Sequence, residues 1–367
     1  MLTLAPGLWR AALAAPPPGS AGYGPLGPAD ANGIRLPNGF TSRVIARSGE
    51  LVDGTSYIWH GAPDGGATYP TDDGGWTYVS NSEAPAPLGG VSAVRFDSSG
   101  TSVDAYRILT GTSLNCAGGP TPWGTWLSCE EHDQGLVWEC DPGGGPLGTP
   151  LPLLGTFSHE AAAVDPVNGH VYLTEDEPDG LLYRFAPDNY PSLDAGELQA
   201  AVVATDGAVT WLPVPKPNGG ALQPCRQQVP GATVFNGGEG AWYHGGDVYV
   251  TTKGDNRVWA LNCATQTLSK VYDAATPAGG PLTGVDNVTV LPDGRLLVAE
   301  DGGDMQICMV TSSGAAPILQ IEGQSSSEVT GPALDPSGTR LYFSSQRGGR
   351  TAPGPGITYE VTGPFAA

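Results

Sequence analysis

The chain has 367 residues, of which 37 are acidic and 16 basic, giving a formal net charge of −21. Phosphate backbones are held by Lys/Arg clusters that such a chain lacks, which argues against a nucleic-acid partner. Gly (55) and Pro (35) approach the level at which composition alone suggests disorder, but 9 Trp, 13 Tyr and 7 Phe set among short apolar runs point instead to a turn-rich, all-β globular protein.

The chain opens with Met1 to Gly24, where a single basic residue, Arg10, precedes an apolar run too short for the core of a signal peptide. This stretch reads as part of a flexible lead-in over residues 1–33, ahead of one folded unit at 34–365. No run approaches the ~18 apolar residues of a membrane-spanning helix. Cysteine usage leans toward export and a secreted or periplasmic location. Cys129 and Cys140 flank a hairpin-like CEEHDQGLVWEC and form one candidate disulfide, with Cys225 and Cys263 as a weaker second pair. A monomer is expected.

A short unit then recurs: a Gly turn, an alternating aromatic or aliphatic strand, Ser/Thr, and an acidic or polar tip. Its copies are GGWTYVSNSE (74–83), WGTWLSCEE (123–131), GHVYLTEDE (169–177), GDVYVTTKGD (246–255), GRLLVAEDGGD (294–304) and TRLYFSSQRG (339–348). Val79, Leu127, Leu173, Val250, Val298 and Phe343 are equivalent, with steps of 48, 46, 77, 48 and 45 residues. Four of the five steps match one four-stranded propeller blade. The long step holds a Pro-rich insertion at about 186–233, with a short helix expected near Ala195 to Ala201. Each unit follows another strand, often through an Asp-Pro or Pro-Asp-Gly turn, which is a hairpin signature. The pattern predicts a six-bladed β-propeller, closed by pairing GITYEV (356–361) with a strand near the N-terminus.

In a propeller, side chains from the same point of successive blades converge on the axis. The loops feeding the inner strands carry Asn115-Cys116, Glu130-Glu131, His159-Glu160, Glu175-Asp176, Gly238-Glu239, Asp286-Asn287, Glu300-Asp301 and Glu328. Crowded carboxylates must take up protons, pair with scarce basic groups or bind cations. Carboxylates and amide oxygens suit hard ions such as calcium, while the Cys116 thiolate calls for a softer one such as iron or zinc. Asp165, Asp293 and Asp335 are assigned to turn chemistry. His132, His170 and His244 are read as surface or turn histidines, His60 has no context, and Lys253 and Arg347 could approach the channel mouth, with the surface as the favoured placement. No G-x-S-x-G elbow, Walker loop, CxxC or HExxH competes.

At NCAGGPTPWGTWLSCEE (115–131) the chain resembles the PhoX-type alkaline phosphatases, secreted six-bladed propellers with an iron and calcium cluster. The resemblance continues through FSHEAAAVDP, VYLTEDE, the Glu239 region, GVDNVTVLPDGRLLVAEDGGD, EVTGPALDPSGTRLYFSSQRG and GITYEVTGPF. It implies that Cys116, Glu131, Glu160 and Glu239 hold iron or bridging positions. Glu175, Asp176, Asp286, Asn287, Glu300, Asp301 and Glu328 would then belong to calcium positions or their surroundings. Glu130 joins the metal candidates by its place beside Glu131. Two departures stand out: the family's Arg-Pro ahead of the glutamate is replaced by Asn236, Gly237 and Gly238, and a twin-arginine export signal is not present.

Such a cluster suits hydrolysis of small-molecule phosphate monoesters. Metals reverse the field of bare carboxylates, and a metal-held oxo or hydroxide would attack phosphorus in line with the departing alcohol. Glu160 and His159 are the catalytic candidates, with His159 a proton shuttle or a support for Glu160. Two alternatives stay open: a calcium-dependent lactonase-type hydrolase, and a catalytically silent calcium-stabilised binding module.

Overall fold

The computed structural model describes residues 22–145, 147–276, 280, 282–311, 314–348 and 355–365. Six antiparallel sheets form a six-bladed β-propeller. Blade one comprises Pro63–Pro70, Trp76–Ser82, Gly89–Phe96 and Ser102–Thr112, running outward from the axis. Blade two begins at Asn115–Pro120 and Trp126–Glu130, blade three at His159–Asp165 and His170–Glu175, and blade four at Gly238–His244 and Asp247–Thr252. Blade five begins at Val285–Val290 and Leu296–Glu300, and blade six at Val329–Leu334 and Arg340–Ser345.

Alternation along each second strand explains the stacking. The equivalent residues Val79, Leu127, Leu173, Val250, Val298 and Phe343 are all fully buried. Their neighbours face the other way: Tyr342 packs with Trp76 and Tyr78 against blade one, while Phe343 packs with Leu297 and Ile307 against blade five. Both faces of a blade are therefore apolar, and each pair of adjacent blades shares one hydrophobic cluster.

Strand Ile357–Thr362 lies between Arg340–Ser345 and the N-terminal strand Thr41–Arg47, so blade six is completed from both ends of the chain. Ile34–Arg35 adds to the rim of blade five, with Ile34 opposite Ile321. The segment from residue 22 to 33, expected to be a flexible lead-in, instead packs along this closure. Tyr23 lies 5.1 Å from Phe40 between ring centroids, and its hydroxyl donates to the Phe365 carbonyl. The rest of the expected lead-in, residues 1–21, lies outside the described residues. No helix among the described residues is long and apolar enough to cross a membrane.

Two expectations are corrected here. The helix near Ala195 to Ala201 is a strand, Ser192–Val203, paired with Leu182–Asn189 on one side and Val209–Pro213 on the other. Helix propensity loses to hydrogen-bonding partners on both sides and to burial of Leu193, Leu198 and Ala200. The disulfides are absent, since all six cysteines are buried free thiols. In the hairpin, Trp126 faces Cys140 and Cys129 faces Val137, so the two sulfurs sit at opposite ends of the ladder. Cys225 lies in a 3-10 turn of the blade-three insertion, whereas Cys263 packs in the cluster between blades three and four.

Candidate active site

Each inner strand pairs with its second strand through a β-bulge near its first residues. A bulge sets two residues against one and re-aims the side chains there. The second residue of the inner strand is Asp64, Cys116, Glu160, Glu239, Asp286 and Thr330 in blades one to six. These form the inner ring. The residue directly after each second strand is Glu83, Glu131, Asp176, Lys253, Asp301 and Gln346. These form the outer ring.

The rings enclose a cavity of about 210 Å³, lined by Asp64, Glu83, Cys116, Glu131, Glu160, Asp176, Glu239, Lys253, Asp286, Asp301, Glu328 and Arg347. Its floor is narrowed to a space of about 20 Å³ by mostly small residues one position on. A Cβ on Gly65 would sit 2.5 Å from the Ala117 Cα, and one on Gly240 would sit 2.5 Å from the Val288 nitrogen, so the inner strands touch beneath the ligand-sized space. Asn287 belongs to this floor, its Oδ1 accepting from the Gly331 N–H at 2.6 Å and its Nδ2 donating to Asp286 at 2.9 Å.

Nine carboxylates and one thiol thus face two cations. Burial first, and neighbouring carboxylates second, push Asp64, Glu160 and Glu239 well above the usual carboxylate range. The same causes lift Glu131 to about 8, Glu328 to about 11 and the Cys116 thiol well above its ordinary value. Burial also lifts Asp286 to about 7, although Lys253 opposes it. Burial would raise Asp301 too, but Glu328, Lys253 and Arg347 hold it below the ordinary value. Both Glu160 oxygens are buried without a hydrogen-bond partner among the described residues.

Three groups bring one ligand atom from each member within 4.8 Å of the others: Asp64–Glu83–Cys116, Cys116–Glu131–Glu160, and Glu160–Glu239–Asp286. Cys116 and Glu160 each belong to two groups, so the three form a continuous arc around the axis.

Several sequence candidates lie elsewhere. Glu130, Glu175 and Glu300 end their strands one residue before the outer ring, and strand alternation turns them away from the cavity. Glu130 accepts from the Ser113 and Leu136 N–H groups and from Trp138. Glu175 accepts from Tyr183, Arg226 and the Leu181 N–H, and Glu300 from the Thr283 and Gln306 N–H groups. They tie each blade's second strand to its neighbouring loops.

His159 also points away from the cavity, its ring packed on Phe157 at 3.6 Å between centroids and tilted by 30°, with Nε2 against the Gly155 carbonyl. Burial lowers its pKa to about 4, so it is neutral. Lys253 and Arg347, for which the sequence favours a surface placement, both line the cavity: Lys253 occupies the outer-ring position of blade four, and Arg347, one residue past that position in blade six, reaches Glu328. Sequence reading missed Asp64 and Glu83. Glu83 is the acidic tip of the first repeat, whereas Pro63-Asp64-Gly65 has the form of a turn and gives no signal. Asp165, Asp293 and Asp335 do cap turns, accepting from the N–H groups of Val167, Arg295 and Thr339.

Fold and site together define a six-bladed β-propeller with an acidic, thiol-bearing axial cavity whose clusters are able to hold metal ions. The family model described as alkaline phosphatase PhoX matches residues 73–142 and 132–349, and the chain belongs to that family. Among solved structures, the Pseudomonas fluorescens PhoX in complex with vanadate, a transition-state analogue, aligns at a TM-score of 0.74 with 17% identity, covering 92% of this chain and 97% of that one. A gluconolactonase from Xanthomonas campestris aligns at 0.54 with 14% identity, covering 93% and 98%. A protein of unknown function from Dyadobacter fermentans aligns at 0.55 with 11% identity, covering 90% and 98%. At these identities the structural likeness carries the fold alone. No curated protein matches the sequence.

Proposed function

We propose that the chain is a metal-dependent phosphatase that hydrolyses small-molecule phosphate monoesters in the axial cavity, with iron and calcium as its ions. The carrying observation is Glu160, whose two oxygens are buried, unpartnered and shared between two ligand groups. Carboxylates starved of partners in this way are stabilised by multivalent cations.

Cys116, Glu131 and Glu160 would hold the softer ion, since a thiolate favours iron over calcium, and the all-carboxylate Glu160–Glu239–Asp286 group suits a hard one. Once bound, the ions would supply positive charge for the phosphoryl group and an activated oxygen nucleophile. The chain's own contributions are distinct from these. Arg347, partly exposed at the cavity, donates to Glu328 at 3.0 Å and keeps further guanidinium donors for phosphate oxygens. The small-residue floor narrows the space below the rings to about 20 Å³, room for a water and not for an ester, so an ester enters from the ring side. Glu131, which holds a proton up to about pH 8 in the metal-free chain, would release it on taking up an ion.

The lactonase-type alternative gives Cys116 no part, although it belongs to two of the three ligand groups. Metal analysis together with p-nitrophenyl phosphate turnover tests the proposal. Iron and calcium in the purified protein, with turnover lost in Cys116→Ala and Glu239→Ala variants, is the expected result. Metal-replete protein that releases no phosphate would end the phosphatase reading.

A further inference from the structure

The outer ring carries a basic residue once. Five blades place Glu83, Glu131, Asp176, Asp301 and Gln346 after their second strands, but blade four places Lys253. Its backbone N–H donates to the Gly237 carbonyl at 2.8 Å. Its Nζ lies 2.6 Å from Glu239, 3.4 Å from Asp301 and 3.7 Å from Asp176. Three carboxylates around one nitrogen is the donor environment of a bound cation.

The three metal-sized groups do not extend to this corner. Asp176 and Asp301 belong to none of them, and Glu239 is the one residue shared with the ammonium. Gly237 leaves room for the lysine. A Cβ there would meet Asp176 Oδ1 at 3.3 Å and Lys253 Cβ at 3.7 Å.

We propose that Lys253 is a built-in cation, its ammonium standing in for one divalent ion among Asp176, Glu239 and Asp301, so that exchangeable metal is confined to the Cys116 and Glu160 side of the ring. This inference rests on the cavity being a metal site, as proposed above. A tethered ammonium carries one charge, cannot be removed by a chelator and cannot act as a Lewis acid. The cavity therefore keeps one corner with a permanent positive charge beside an arc that depends on added ions.

Counting ions tests this. Chelator-stripped protein is titrated with calcium by calorimetry, and bound metal is then measured per chain by mass spectrometry. Lys253→Met should bind one calcium more than the wild type, and Lys253→Arg the same number as the wild type. Equal counts for the wild type and Lys253→Met would overturn the proposal. Should Lys253→Met fail to fold, Asp176→Asn in the Lys253 background decides: an unchanged count supports the built-in cation, and loss of one ion overturns it. Phosphate-ester turnover does not enter the count, so the phosphatase reading and this one fail separately.

Discussion

Two buried glutamates in this propeller have opposite surroundings. Glu360, between blades six and one, accepts from Arg43 at 2.7 and 2.9 Å, from Arg340 at 2.8 Å and from Tyr342 at 2.7 Å. Burial alone would raise its pKa, but Arg43 and Tyr342 outweigh it and hold the carboxyl below the ordinary value. Glu160, on the axis, has no such partner, and its pKa is driven well up by burial and by Glu239 and Glu131. The first carboxylate is complete within the chain, and the second is incomplete without something from outside. A fold with arginines available for Glu360 leaves Glu160 unpaired where a cation site is of use.

The sharpest way to break this contrast is Glu160→Gln. It should lower metal-dependent turnover by more than the roughly 10- to 100-fold typical of residues that only support a metal ligand. It should also raise the melting temperature of the stripped protein at pH 8, because a neutral amide replaces a buried acid. Unchanged metal content in this variant would remove the distinction between the two glutamates.

Glu360→Gln should do the reverse, costing about 2 kcal/mol of stability in denaturant titration because the charged hydrogen bonds from Arg43, Arg340 and Tyr342 are weakened or lost. Turnover of the folded fraction should stay at the wild-type level.

A pH series on stripped protein sharpens the contrast further. Glu131 and Asp286 titrate near 8 and 7 in the folded chain, against ordinary values of 4.5 and 3.8. Between those limits the folded state holds protons that the unfolded state has released, so stability falls as pH rises from about 5 to 8. Thermal melts should record a decrease across that range, and saturating calcium should diminish or reverse it. A melting temperature that rises over the same range without metal would contradict the crowding of these acids.

The smallest effect is expected from His159→Asn. With its ring packed on Phe157 outside the cavity, turnover should change by less than about tenfold and the pH–rate profile should keep its shape, while a modest fall in melting temperature reports lost packing. A shifted pH profile would restore a proton-shuttling role.

Much of the fold was legible because its signal is periodic. The second-strand repeat and its steps of 45 to 48 residues mark the blades, and GITYEV pairs with Thr41–Arg47 to close the ring. The blade-three region was misread because Ala, Glu and Leu favour helix locally, and only the neighbouring strands decide otherwise. In the site, adjacent acids such as Glu130-Glu131 and Glu175-Asp176 are indistinguishable in one dimension. Strand alternation sends one of each pair to the axis and the other to the loops.

The sequence by itself determined the number of blades, the all-β class and a recurrent acid at the strand tips, because hydrophobic alternation and repeat spacing are properties of the chain read linearly. Only the tertiary structure decided which side chains meet. The bulges aim Asp64, Cys116, Glu160, Glu239 and Asp286 at one axis, and ring closure brings Lys253 and Arg347 inward while leaving every cysteine unpaired. Convergence of residues more than two hundred positions apart, as Asp64 and Asp286 are, follows from six sheets closing a circle, and a linear pattern does not encode that closure.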